Sequence, residues 1–188
     1  PRILKSGSQS LNKTSKKLQK ITKATPVDAR KLAQIAKDSF LPAHGHAGPK
    51  KDIDSYVSNH FNEANFKKEL ENKNNHYYII YHENEIAGYS KIIFNSKNQN
   101  IANSNITKME RLYLLKEFYG LNLGVKLFEY NIEFAKKNDQ KGIWVFVWVE
   151  NKRAIAFYKK MGFVIVGSYN FIVSKTHSNP NHVMYLEF

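Results

Sequence analysis

The sequence predicts an α/β (α+β) protein in which helices pack on a sheet, and three observations carry that expectation. Residues 143–149 (Ile-Trp-Val-Phe-Val-Trp-Val) are all apolar and include valines at alternate positions, the pattern of a strand buried on both faces. Helical spacing of apolar residues stands on either side of that run, from Leu123 to Ala135 and from Ala154 to Met161. Shorter strand-like runs bounded by Asn, Gly and Pro fill much of the remainder, so strands and helices alternate. A chain of 188 residues, 42% of them hydrophobic, suits one domain able to bury a core without metal or disulfide support.

Residues 1–17, rich in Ser, Lys, Gln and Asn, read as a flexible basic arm, and residues 18–188 as the domain. Alternation from Leu18 to Thr22 predicts a first strand. Thr25-Pro26 opens a helix, because Thr caps and Pro sits where a missing N–H costs nothing. That helix is expected to run through Leu32, Ile35 and Phe40 and to stop at Pro42, with 43–49 as a loop holding His44 and His46. One helical region is expected over 51–73. The runs 77–81 and 86–94 form a hairpin turning at Glu83-Asn84, and the polar stretch 95–104 is a loop. A strand over 106–115, a turn at 118–122 and a helix from Leu123 follow, broken at Gln140-Lys141-Gly142 before the apolar run. Asn151 starts the next helix and Gly162 ends it, with strands at 163–166, 171–173 and 182–188.

Composition bounds the chemistry. Cysteine is absent, which excludes thiol nucleophiles, disulfides and zinc–thiolate sites and fits a reducing, cytoplasmic setting. No run of about 18 apolar residues exists, so no membrane helix is expected, and the basic start lacks the apolar core of a secretory leader. The 29 basic and 16 acidic residues give +13, of which the first 20 residues carry +6 and no acid. Such a surface favours polyanions or a phosphate-rich cofactor, without choosing between them.

The most informative stretch is 112–124, where a strand runs into a turn with Gly120 and Gly124 and then a helix. A helix start offers unpaired N–H groups and the positive dipole end, which suit a phosphate or pyrophosphate. Gly120 and Gly124 are too close for a P-loop and do not fit a dinucleotide fingerprint. Taken alone, a tight turn before a helix explains them equally well.

Leu112-Tyr113-Leu114, then Tyr119-Gly120-Leu121-Asn122-Leu123-Gly124, then Asn151-Lys152-Arg153-Ala154-Ile155-Ala156-Phe157-Tyr158-Lys159-Lys160-Met161-Gly162-Phe163 together resemble the GNAT family of N-acetyltransferases. The likeness spans about 18–188 and is strongest over 106–167; within the family it is greatest to PaiA-type spermidine/spermine acetyltransferases. The resemblance implies a mixed, mostly antiparallel twisted sheet of about six to seven strands flanked by about four helices. It also implies an acetyl-coenzyme A cosubstrate, no metal, and an amine acceptor.

By position, the family's cofactor arm enters where the strand at 106–114 parts from the strand at 143–149, lined by Leu112, Tyr113 and Leu114. The turn and helix start from Tyr119 through Gly120, Leu121, Asn122, Leu123 and Gly124 to Val125 correspond to the family's pyrophosphate site, and Asn151 to a pantetheine contact. Tyr119 stands where the family has Gln or Arg, and Asn122 where it has Gly. Asn tolerates left-handed backbone, and Lys126 is the nearby cation for the contact Tyr119 lacks. Tyr158 matches the general acid that protonates the departing thiolate, although its helical position also suits core packing. A strand amide near Leu112 would stabilise the developing oxyanion. Glu110 is the candidate general base, on the expectation that Glu110, Leu112 and Leu114 share one strand face; an exposed carboxylate, or one paired with Arg111, is the alternative.

His44, His46 and His60 lack the spacing of a metal site and read as loop histidines. Most aromatics fall on strand or helix periods, which marks them as core and weighs against nucleic-acid binding. The preferred acceptor is a polyamine, with Glu63, Glu69, Glu71 and Glu110 as the acidic residues that would draw a polycation to a basic protein. Protein amines, other small amines, and a non-catalytic acetyl-coenzyme A sensor or nucleic-acid module are the rivals. A homodimer is compatible with all of these.

Overall fold

A computed structural model describes residues 18–188; the arm expected at 1–17 lies outside the described residues. Seven strands form one sheet: β1 (Gln19–Lys23), β2 (Asn75–His82), β3 (Glu85–Ile93), β4 (Thr107–Leu114), β5 (Gly142–Trp148), β6 (Val164–Ile172) and β7 (Ser178–Glu187). Their order is β1-β2-β3-β4-β5-β7-β6, with every neighbouring pair antiparallel except the parallel β4–β5. The helices are α1 (Ala29–His44), α2 (Lys50–His60), α3 (Glu63–Glu71), α4 (Leu123–Lys137) and α5 (Lys152–Lys160).

The two sheet faces are covered by different helices, as strand alternation requires. On β2, Tyr77 and Ile79 pack with Leu32 of α1, Ile53 of α2 and Phe66 of α3. Their neighbours Tyr78 and Ile80 point the other way, into a cluster with Leu123 and Leu127 of α4. Phe128 and Ile132 of α4 then join Tyr158 of α5 beneath β5 and β7.

Local chemistry explains the boundaries. Thr25 and Asp28 form a capping box around a short 3-10 turn that leads into α1. Glu83 and Asn84 both adopt positive φ (51° and 71°), the two-residue turn that matches strand twist. Three expectations need correction. α1 does not stop at Pro42 but continues to His44, whose ring stacks 4.8 Å from Phe40 one turn earlier. The region 51–73 is two helices, because the Asn62 side chain accepts from the Asn65 amide (2.9 Å) and starts α3 afresh. The segments at 163–166 and 171–173 are one strand, β6, paired along its length with β7.

Candidate active site

The site is set by β4. On one side β4 pairs with β3 from Lys108 to Leu114, whereas on the other it meets β5 only at Thr107–Ile143 and Lys108–Trp144. Beyond Lys108 the parallel strands part, and the β5-facing backbone groups of β4 lose their ladder partners.

A β-bulge lies in this stretch. Lys91 pairs with Arg111 and Ile92 with Met109, so Glu110 is the extra residue. The expectation that Glu110 shares a face with Leu112 and Leu114 is therefore wrong. Leu112 and Leu114 pack on the α4 side, while Glu110 turns with Arg111 and Tyr113 toward α1, α2 and α3. Strict alternation fails wherever a residue is inserted, and no residue type here announces the insertion.

On that face a cavity of about 350 Å³ opens between α1, α2 and the parting strands. Its walls are aromatic: Phe40 and His44 of α1, Tyr56 of α2, Tyr113 of β4, and Phe146 and Trp148 of β5. The three histidines belong to this aromatic architecture. His44 sits edge-on to Tyr113 (6.0 Å), His46 lies 5.4 Å from Trp148, and His60 stacks on Tyr56 at 4.2 Å. Burial, aided by His46, lowers His44 to about 4, so its ring is neutral near pH 7.

The cavity floor is ionic: Glu69, Lys91, Lys108, Glu110 and Arg111. Glu69 accepts from Lys91 (2.7 Å), from Arg111 (3.2 Å) and from the Tyr77 hydroxyl. Arg111 also donates to Tyr77 Oη (2.7 Å), and its guanidinium lies over the rings of Phe61 and Phe66. Glu110 pairs with Lys91 and with Lys108 (3.3 Å), and the Lys108 ammonium faces Trp144 and Phe146. Burial alone would raise the Glu110 carboxyl, but Lys91, Lys108 and Arg111 outweigh it and hold the group at about 2. Glu69 is likewise lowered, its burial outweighed by Arg111 and Lys91. A carboxylate of such acidity has little proton affinity, which suits an anchor for cations better than a general base. Of the other acids expected near the acceptor, Glu63 pairs with Arg30 on the surface and Glu71 is exposed.

The opposite side carries the turn before α4. Gly120 has φ of +83°, and Asn122 is left-handed at φ 57°, ψ 15°, the conformation Asn tolerates best among residues with a Cβ. Asn122 makes no side-chain cap, so the amides of Leu123, Gly124 and Val125 have no partner from it, and no acid stands in the first turn. Lys126 is not the local cation, because its ammonium donates to Gln19 on β1. That place is taken by Arg153 at the start of α5, whose guanidinium lies 3.6 Å from the Tyr119 ring centre. Tyr119 thus exchanges a direct polar contact for a platform that orients an arginine. Sequence spacing gave no sign of it, since the two residues lie in separate motifs.

Asn151 caps α5 through its Oδ1, which accepts from the Ala154 amide at 3.1 Å. Tyr158 is buried, with its hydroxyl 3.7 Å from Met109 Sδ, and burial raises its pKa. Met109 in turn lines the cavity, which places the phenol one side chain behind it at the parting of β4 and β5.

Residues 31–163 match the acetyltransferase (GNAT) family. The chain belongs to that family. An N-acetyltransferase of Mycobacterium tuberculosis, itself uncharacterized, is 28% identical over 160 residues, covering 85% of this chain and 97% of that one. A second, in the pepI 3' region of Lactobacillus delbrueckii subsp. lactis, is 25% identical over 154 residues, 82% of this chain and 89% of its own, and is equally uncharacterized. Among solved structures, PaiA N-acetyltransferase from Thermoplasma acidophilum in complex with coenzyme A has a TM-score of 0.70 at 16% identity, covering 91% of this chain and 99% of that one. That likeness is one of fold. As a GNAT enzyme the chain is an acetyl-coenzyme A-dependent N-acetyltransferase acting on an amine. The donor set fits the cosubstrate: uncapped amides at the start of α4 suit its pyrophosphate, and unladdered β4 backbone suits the amides of its arm.

Proposed function

We propose that this GNAT enzyme acetylates a primary amine of a small molecule bound in the aromatic cavity between α1, α2 and the parted strands. The observation that carries the reading is the meeting of that cavity with the β4–β5 parting, since Met109, Glu110, Arg111 and Tyr113, which line the cavity, lie on β4 beyond its last pair with β5. Acetyl-coenzyme A supplies the thioester: the acceptor's ammonium group first loses one proton to solvent, and the neutral amine nitrogen then bonds the acetyl carbon as the C–S bond breaks. Of its two protons one stays on the amide nitrogen, while the other is released and replaces the proton delivered to the thiol. The amides of residues 123–125 and the Tyr119-supported Arg153 hold the phosphates; Gly120, Leu121 and Asn122 shape the turn that presents them. Leu112 and Leu114 back the arm from the α4 side, and Tyr113 closes the acceptor side. Asn151 fixes the start of α5, which carries Tyr158 to its place behind Met109.

In this arrangement Tyr158 donates the proton that leaves with the thiol, and an unladdered amide near Leu112 meets the carbonyl oxygen. Its raised pKa means that the hydroxyl stays protonated until a strong base stands beside it. Glu110 serves as an electrostatic anchor for Lys91 and Lys108 rather than as the base. The polyamine preference implied by PaiA-type enzymes meets an obstacle here, because the two carboxylates on the cavity floor are already paired with cations. Thiol release from acetyl-coenzyme A across a panel of spermidine, small amines, amino acids and lysyl peptides tests the proposal. Turnover with small amines upholds it; turnover confined to peptides overturns it.

A further inference from the structure

The ionic floor of the cavity is unbalanced. It holds the cations Lys91, Lys108 and Arg111 against the carboxylates Glu69 and Glu110, and all five side chains are less than a third exposed. His44 adds no charge near neutral pH. One positive charge is therefore left without a counter-charge in a largely desolvated place, where an unpaired charge is costly.

The hydrogen bonds tell the same story by donor and acceptor. Both Glu69 oxygens are taken, Oε2 by Tyr77, Lys91 and Arg111 and Oε1 by Arg111. Both Glu110 oxygens are taken too, by Lys91 and Lys108. The cations, by contrast, have donors to spare. Among the described residues the carboxylate that Lys108 meets is Glu110, and its ammonium lies over the rings of Trp144 and Phe146, the latter a cavity-lining residue. Asn181, buried on β7 opposite Trp148, lines the same cavity and its Oδ1 has no hydrogen-bond partner. That oxygen is an acceptor left for an N–H of the bound amine, whereas a floor whose carboxylates are both paired and whose cations have donors left over recognises an anion. The aromatic walls of the cavity recognise a flat apolar body.

We infer that the acceptor is a zwitterionic amino acid with an aromatic ring, in which the carboxylate docks on Lys108 and its neighbours while the ring lies between Tyr56, Tyr113 and Trp148 and the amine points to the β4–β5 parting. The inference rests on the small-amine reading above and names the substrate class within it. A polyamine would bring only positive charge to a floor that already has an excess.

The test uses matched pairs that differ only in the carboxylate: phenylalanine and 2-phenylethylamine, tyrosine and tyramine, tryptophan and tryptamine, with spermidine and a lysyl peptide alongside. Thiol release gives kcat/KM for each. At least one carboxylate-bearing member should exceed its partner by about tenfold or more, the scale of one charge-assisted hydrogen bond. In Lys108→Met, which keeps an unbranched side chain but removes the charge, that ratio should fall several-fold, mainly through KM for the amino acid. Circular dichroism and the melting temperature of the variant establish that it is folded. Arg111→Lys is not used, because it breaks the Tyr77–Glu69 contacts as well. Decarboxylated amines or spermidine turning over as well as the amino acids would overturn the inference and leave the small-amine reading standing. Turnover of spermidine alone would overturn the inference only; turnover of the peptide alone, or of no amine in the panel, would overturn both. A ratio unchanged in folded Lys108→Met would overturn the assignment of the anion to this floor.

Discussion

Glu110→Gln separates the anchor role from the general-base role, and its cost follows from the charges around it. A carboxyl held at about 2 against its ordinary 4.5 is more stable ionised in the folded chain than in the unfolded one. At about 1.4 kcal/mol per pH unit, the difference is worth about 3 kcal/mol at neutral pH. The sign is fixed by the direction of the shift. A depressed folded pKa gives stability that is complete above about 4.5 and is lost as pH falls toward 2, where the carboxylate protonates in both states. Glutamine cannot supply it at any pH and leaves Lys91 and Lys108 facing each other. Urea unfolding of both proteins should therefore show a gap of about 3 kcal/mol at pH 7 that narrows to about 1 kcal/mol near pH 3. A gap below about 1 kcal/mol at pH 7, or one that does not shrink in acid, would refute the reasoning. It would mean that the Lys91 and Lys108 contacts do not set the acidity of Glu110. The same low pKa predicts that the acid limb of the rate profile is not the titration of Glu110, in contrast to a base poised near neutrality.

Tyr158→Phe should lower kcat by about 100-fold or more while leaving coenzyme A affinity within a few-fold, measured by calorimetry beside steady-state rates; retained turnover would remove the phenol from the reaction. Arg153→Met should raise KM for acetyl-coenzyme A by about tenfold with little change in kcat, and Tyr119→Ala should reproduce part of the effect by releasing the guanidinium. Asn122→Gly should fold as well as the parent, whereas Asn122→Ala should cost about 1 kcal/mol in chemical denaturation because its backbone is left-handed.

The fold was legible where the local code is strong. The buried run of β5, the two-residue turn at Glu83-Asn84 and the Gly162 terminus each follow from short-range rules, and the structure has them where the pattern places them. The likeness to GNAT proteins located the α4 turn and α5 because those residues are contiguous. What stayed hidden depends on partners far away in sequence. Pro42 is carried inside α1, whose end at His44 buries that ring between Phe40 and Tyr113. The split at Asn62 needed the side chain to prefer a cap over the helix interior, which composition does not decide. Arg153 and Tyr119 meet only once the turn before α4 and the start of α5 come together, and Glu69 reaches the floor only because its side chain, carried on α3, meets Lys91 of β3 and Arg111 of β4.

The bulge at Glu110 shows why one such hidden feature changes the functional reading rather than a detail of it. β4 serves two masters: Leu112 and Leu114 face the helix whose amides suit phosphate, and Arg111 and Tyr113 face the aromatic cavity. In a regular strand Glu110 would have followed Leu112, putting a carboxylate on the α4 side and leaving the cavity floor with Glu69 alone against three cations. With the inserted residue, Glu110 joins that floor, pins Lys91 and Lys108, and reduces the excess to one charge. The insertion lies two residues after the last β4–β5 pair, so the irregularity that turns Glu110 also stands where the strands separate. The opening in the sheet and the charge on the cavity floor are then two results of one local geometry. A substitution that restored regular pairing at Met109-Glu110-Arg111 would disturb both together.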